Sequence, residues 1–214
     1  MSELGKIYKE AELDVSTIVP AYQEAFSGWP WFEVSKCVDQ SKQQRCAGGL
    51  SRIAVSEMCI TCGLRPTKTA YEPAELIERF KMLESTRPTR WYVESIEASP
   101  ALVALAWSAT PKQVAAEKYS DVPAMQDWLV TNLPNKPIVW LDEVFADKKV
   151  RATGNLVNFR SMCTGFMSAL NNKELAYRTL SPAMLRAAER SFQVTPSKEA
   201  PDRRAFIAIG GESV

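Results

Sequence analysis

Four cysteines, Cys37, Cys46, Cys59 and Cys62, form a C-x8-C-x12-C-x2-C pattern, and four thiolates at such spacing can close a tetrahedral site around Zn2+. The Cys59-Ile60-Thr61-Cys62-Gly63 end has the form of a metal knuckle, in which the glycine lets backbone amides turn toward the sulfurs. No ligand position is left open, so the expected ion is structural. The same thiols also suit simple burial, or a redox pair at Cys59 and Cys62. A second kind of chemistry resides in Asp142 and Glu143, adjacent carboxylates inside the otherwise apolar run Trp140 to Ala146. Strict strand alternation puts one of them on each side of a sheet. There a carboxylate serves either as a proton acceptor or as half of a structural ion pair. A third feature is the basic loop Lys148 to Gly154 that runs into a helix, where Gly154 permits a tight turn and Asn155 can cap.

The chain has no histidine, which excludes Ser-His-Asp and Cys-His nucleophilic sites as well as mixed Cys/His metal sites. Cys163 lacks a histidine to activate it and is expected in the core.

These groups need elements to hold them. Ile7 to Leu13 reads as a short strand, and Val15 to Phe26 as a helix with Ile18, Tyr22 and Phe26 on one side and Asp14 or Ser16 as cap. Gly28 and Pro30 end that helix. Residues 33–71 are polar, hold the four clustered cysteines and show little periodicity, so they are expected to form a loop-rich insertion ordered by metal. Pro73 opens a helix with Leu76, Ile77, Phe80 and Leu83 on one side, closed by Pro88. Arg90 to Ala98 and Ala101 to Thr110 read as a hairpin turning at Ser99-Pro100. One or two helices broken at Asp121 to Pro123 follow, then a buried strand from Ile138 to Ala146. The spacing of Leu156, Phe159, Met162, Phe166 and Leu170 predicts a helix from Asn155 to about Leu170 with an apolar stripe for the core. Leu175 to Thr179 reads as a strand, Pro182 to Arg190 as a helix, and Phe192 to Thr195 with Ala205 to Ile209 as a closing strand pair.

With 214 residues, 46% hydrophobic and 24% charged, the chain is expected to form one principal globular domain over residues 1–214 with the insertion at 33–71. Its 26 basic and 25 acidic residues nearly cancel, which argues against a polyanion such as nucleic acid as partner. The longest apolar stretch, Ala101 to Trp107, is far short of the roughly 20 residues needed to span a bilayer. The first residues lack a basic start and apolar run, which leads to the expectation of a cytoplasmic protein with reduced thiols.

The order strand, helix, helix, three strands, helix, strand, helix, strand pair, over Ile7 to Phe26 and Glu72 to Ile209, resembles the GNAT superfamily of N-acyltransferases. Members of that superfamily carry an Arg/Gln-x-x-Gly-x-Gly/Ala turn just after their fourth strand. Arg151-Ala152-Thr153-Gly154-Asn155-Leu156 matches its first two fixed positions and has leucine at the third. The resemblance implies an α/β (α+β) fold with a mixed, mostly antiparallel sheet flanked by helices. It also implies acetyl-CoA as cosubstrate, its pyrophosphate held by free amides at Arg151 to Leu156. Its pantetheine arm would pair with the backbone of Val144, Phe145 and Ala146 as if it were a further strand. Glu143 falls where relatives often carry the base that deprotonates the amine, and Trp29 and Trp31 lie in a loop that borders the acceptor pocket in such proteins, or anchor the insertion. The tyrosine acid common on the last helix is missing at Leu185 to Ala188, leaving Tyr177 as the nearest phenol. The expected reaction is direct acetyl transfer to a small-molecule or peptide amine. The alternative is an inactive fold of the same kind serving as a zinc-stabilised protein-binding module.

Overall fold

Strand-forming runs and helical stripes condense into six helices and eight strands among the residues described by this computed structural model, which are 5–9, 12–27, 33–37, 67–97, 99–120, 122–146, 158–179, 181–195, 200–201 and 204–210. In chain order these are β1 (Lys6–Tyr8), α1 (Val19–Ser27), β2 (Ser35–Cys37), β3 (Thr67–Thr69), α2 (Pro73–Thr86), β4 (Thr89–Ile96) and β5 (Ser99–Ala109). Then come α3 (Pro111–Lys118), α4 (Pro123–Asn132), β6 (Ile138–Ala146), α5 (Phe159–Ala169), β7 (Leu175–Thr179), α6 (Pro182–Phe192) and β8 (Ala205–Ile209). The chain divides into two compact units, one of Met1–Leu13 with Leu83–Val214 and the other of Asp14–Met82.

The larger unit holds a six-stranded sheet in the order β1-β4-β5-β6-β7-β8, antiparallel throughout except where β6 and β7 run parallel. Parallel neighbours need a crossover, and α5 lies in it. Each face of the sheet has its own core. On one, Val139, Leu141 and Tyr177 pack with Phe159, Met162, Cys163 and Phe166 of α5 and with Ala188 of α6. On the other, Trp107, Trp140 and Phe206 pack with Val114 and Tyr119 at α3 and with Met125 and Leu129 of α4. Cys163 is fully buried, and burial pushes its thiol pKa well up, as expected for an inert core residue.

In the unit of residues 14–82, Asp14 accepts from the Ser16 amide at 3.0 Å and caps a short 3-10 turn, Val15–Thr17, ahead of α1. Tyr22, Phe26, Tyr71 and Phe80 form an aromatic cluster, with Tyr22 and Tyr71 edge to face at 5.1 Å. The predicted insertion is joined at its ends: β2 and β3 pair antiparallel, and the Tyr71 hydroxyl donates to the Glu33 carboxylate.

Three expectations about the elements need correction. The hairpin turn falls before Ser99, because Ser99 and Pro100 already belong to β5 and pair with Ile96 and Ser95. The first strand is shorter than predicted. At the other end, Phe192 to Thr195 is no strand: Phe192 is the last residue of α6, and Gln193 closes that helix in the left-handed conformation with φ of 56°. Phe192 keeps to the helix because its ring packs on Phe159 at 6.3 Å, and β8 pairs with β7 instead. The break predicted near Asp121 to Pro123 divides α3 from α4, each with proline at its first turn.

Trp140 is 2% exposed and tilts against Phe206 at 6.4 Å, joining β6 to β8 on the α3/α4 face. Trp140→Ala should therefore lower unfolding stability by about 3–5 kcal/mol in urea titration. A loss below about 1 kcal/mol would show that this face does not carry the sheet.

Candidate active site

The site is built on β6. This strand pairs with β5 along its whole length, but the register shifts: Ala106 faces Leu141 while Leu105 faces Glu143. Asp142 is thus the extra residue of a β-bulge, which bends a strand and re-aims the side chains beyond it. The apolar side chains show the result. Val139 and Leu141 lie in the α5/α6 core, and so do Ala146 and Val144. Alternation resumes after the bulge with Val144 and Ala146 on that face, so Glu143 and Phe145 turn to the other face with Ile138 and Trp140. Asp142 also points there, since its Oδ1 lies 2.5 Å from Lys118 Nζ at the end of α3. The expectation of one carboxylate on each face is overturned: both fall on the α3/α4 side, because the bulge removes one step of alternation.

On its other edge β6 pairs with β7 for only two residue pairs, Val139 with Leu175 and Trp140 with Ala176, plus one bond from the Val139 amide to the Glu174 carbonyl at 2.8 Å. β7 continues through Thr179, paired with β8, yet no ladder joins it to β6 beyond Trp140 among the described residues. Val144, Phe145 and Ala146 pair with Ala104, Val103 and Leu102 of β5 on one side, while among the described residues the ladder to β7 on the other side ends at Trp140. A strand edge of that kind is a template for an extended group.

Around the bulge, beside Asp142, lie polar groups that reading along the chain did not single out. Asp142 is 1% exposed at its side chain and Lys118 24%. The Arg178 guanidinium stacks on the Tyr119 ring at 4.4 Å. Burial lowers the Arg178 pKa from its usual value, while Tyr119 and Asp142 act to raise it and Arg204 to lower it. Tyr119, 2% exposed, has its pKa pushed up to about 12 by burial and by Asp142, with Arg178 and Arg204 opposing. Its hydroxyl has no hydrogen-bond partner among the described residues. No short-range signal marks this set, because Lys118 on α3 and Arg178 on β7 come near Asp142 only once the chain has folded. Tyr177 is a core residue: its hydroxyl donates to the Met184 carbonyl at 3.3 Å and burial raises its pKa strongly, so it is no candidate acid.

The remaining expected site residues fall elsewhere. Arg151, Ala152, Thr153, Gly154, Asn155, Leu156, Trp29, Trp31, Cys46, Cys59 and Cys62 lie outside the described residues, and of Cys37 only the backbone in β2 is described. Among the described residues there is no cluster of three or more His, Cys, Asp or Glu that could hold a metal ion. Nor is any helix there long and apolar enough to cross a membrane.

The fold recurs in known structures. AAC(6')-Ib in complex with ribostamycin and coenzyme A superposes with a TM-score of 0.53 at 9% identity, over 97% of this chain and 94% of that one. A putative arylalkylamine N-acetyltransferase of the yellow fever mosquito gives 0.51 at 11% identity, over 97% of this chain and 88% of that one. No family model and no curated protein matches the sequence.

The Tyr119 environment sets a pH dependence. A phenol whose folded pKa lies near 12 against 10 in the unfolded chain lends stability that is complete below pH 10 and lost as pH rises toward 12. Tyr119→Phe should be neutral or stabilising at pH 7, because the hydroxyl lacks a partner, and should flatten the fall of Tm between pH 10 and 11.5. An unchanged alkaline slope would exclude this role.

Proposed function

We propose that the chain is an N-acetyltransferase that moves an acetyl group from acetyl-CoA to an amine by direct attack. The observation that carries the reading is the bulged β6, whose ladder to β7 ends at Trp140 among the described residues and which turns Glu143 to the face opposite Val144. The fold shared with structures described as an N-acetyltransferase or as bound to coenzyme A supports it. Acetyl-CoA supplies the activated thioester. The chain's part is to receive it along the β6 edge at Val144, Phe145 and Ala146, with the diphosphate at Arg151 to Leu156, and to prepare the acceptor.

An amine is protonated near neutral pH and cannot attack until it loses a proton. Glu143, half-buried on the strand next to that edge, is the proposed acceptor of this proton, directly or through water. The amine nitrogen then bonds to the acyl carbon, the carbon–sulfur bond breaks, and the sulfur leaves as thiolate and takes up a proton. Trp29 and Trp31 are proposed to border the acceptor, a small-molecule or peptide amine.

Calorimetry should detect coenzyme A binding to the wild-type protein. Glu143→Gln should cut kcat about a hundredfold or more while leaving acetyl-CoA affinity within about twofold. Absence of any coenzyme A binding removes the enzyme reading and leaves the alternative of a zinc-stabilised binding module.

The cysteine segment is proposed to carry a structural zinc. Four thiolates from Cys37, Cys46, Cys59 and Cys62 match that ion's preference for sulfur and tetrahedral geometry, and the β2–β3 ladder holds the two ends of the segment together. The expected outcome is about one zinc per chain by metal analysis, with Cys59→Ser lowering both the zinc content and the melting temperature. A content well below one excludes the clip.

A further inference from the structure

The bulge has a holder. Asp142 is the inserted residue, and its carboxylate, 1% exposed, lies 2.5 Å from the Lys118 ammonium. A buried carboxylate needs such a partner. Lys118 is the last residue of α3, where the helix dipole favours a cation. The start of α3 is pinned as well. Thr110, the residue joining β5 to α3, forms a capping box with Gln113: the Thr110 amide donates to Gln113 Oε1 at 2.8 Å, and the Gln113 amide donates to Thr110 Oγ1 at 3.3 Å. β5 is also the strand whose Leu105 and Ala106 face the bulge. The chain therefore closes a ring, from the bulge's partner strand through the capped helix to Lys118 and back onto Asp142.

Loss of the bulge would shift alternation by one residue. Glu143 would turn onto the face of Val139 and Leu141 among apolar side chains, and Val144 and Ala146 would leave the core they now share. The apolar residues thus favour the bulged register, and the ion pair removes its main cost, a buried acid without a countercharge. Arg178, Arg204 and Tyr119 also act on this region electrostatically, and Lys118 makes an ion contact with Asp142 at 2.5 Å.

We propose that Lys118 is a positioning residue, holding the bulge through Asp142 and so keeping the Glu143 carboxylate aimed for proton removal. The catalytic consequence rests on the acetyl-transfer reading; the structural hold does not.

The test compares Lys118→Met and Lys118→Arg with wild type by amide hydrogen exchange across residues 138–146 and by steady-state kinetics. Lys118→Met should speed exchange in β6 about tenfold or more. It should also lower kcat at least about tenfold with the KM for acetyl-CoA within about twofold. Lys118→Arg should recover most of both. Added to Glu143→Gln, Lys118→Met should cost little further activity, since it acts through that carboxylate. Should Lys118→Met fail to fold, Lys118→Gln carries the same comparison. Wild-type exchange in the neutral variant, equal impairment of the arginine variant, or additive losses would each overturn the proposal. If the wild-type protein neither binds coenzyme A nor transfers acetyl groups, the acetyl-transfer reading fails on its own. The exchange comparison still decides whether Lys118 holds the bulge.

Discussion

Two adjacent carboxylates cannot both sit in the middle of a sheet covered on both faces unless the backbone makes room for them, and in this molecule it does so at Asp142. The extra residue gives Asp142 and Glu143 the same face, lets one meet Lys118 and leaves Val144 and Ala146 with the apolar residues of the other face. A regular strand would have driven Glu143 into that apolar layer, at the cost of desolvating a charge. The bulge is thus the solution to a packing problem, and the direction in which Glu143 points follows from it.

The two halves of β6 consequently do different work. Its first residues, Ile138 to Trp140, are flanked by strands on both edges and buried by cores on both faces. Past the bulge the strand continues its pairing with β5, while among the described residues its ladder to β7 ends at Trp140 and β7 pairs with β8 along its whole length. A parallel ladder of two pairs is enough to set the direction of β7. The helices hold this arrangement from either side. Phe159, Met162 and Phe166 support one face, and the α3/α4 layer both supports the other and delivers Lys118 to the bulge.

In the unit of residues 14–82, short contacts do the corresponding work. The β2–β3 pair joins the flanks of the cysteine segment, and Glu33, Tyr71 and Gln23 tie those flanks to α1, the last through a 2.6 Å bond from its side-chain amide to the Tyr71 carbonyl. Such a clasp brings the two flanks of this segment together.

Much of this was legible in the amino-acid order because the signals are local. Prolines at Pro73, Pro111, Pro123 and Pro182 mark helix starts, the stripe of Phe159, Met162 and Phe166 marks a buried helix face, and the bounds of β6 and β7 follow from the apolar runs Ile138 to Ala146 and Leu175 to Thr179. The sequence also disclosed where the carboxylates are. It did not disclose their facing, because alternation presumes a regular strand and a bulge depends on the register of the neighbouring one. Lys118, Tyr119 and Arg178 were silent for the same reason: each meets the β6 region only after strands and helices far apart in the chain have packed. Phe192 misled because a strand former at a helix end is decided by the ring it packs on, Phe159, rather than by its own propensity. Composition and periodicity determined which elements exist, since those depend on neighbours in the chain. Tertiary packing alone decided which way the acids turn and what holds them, since that depends on neighbours in space.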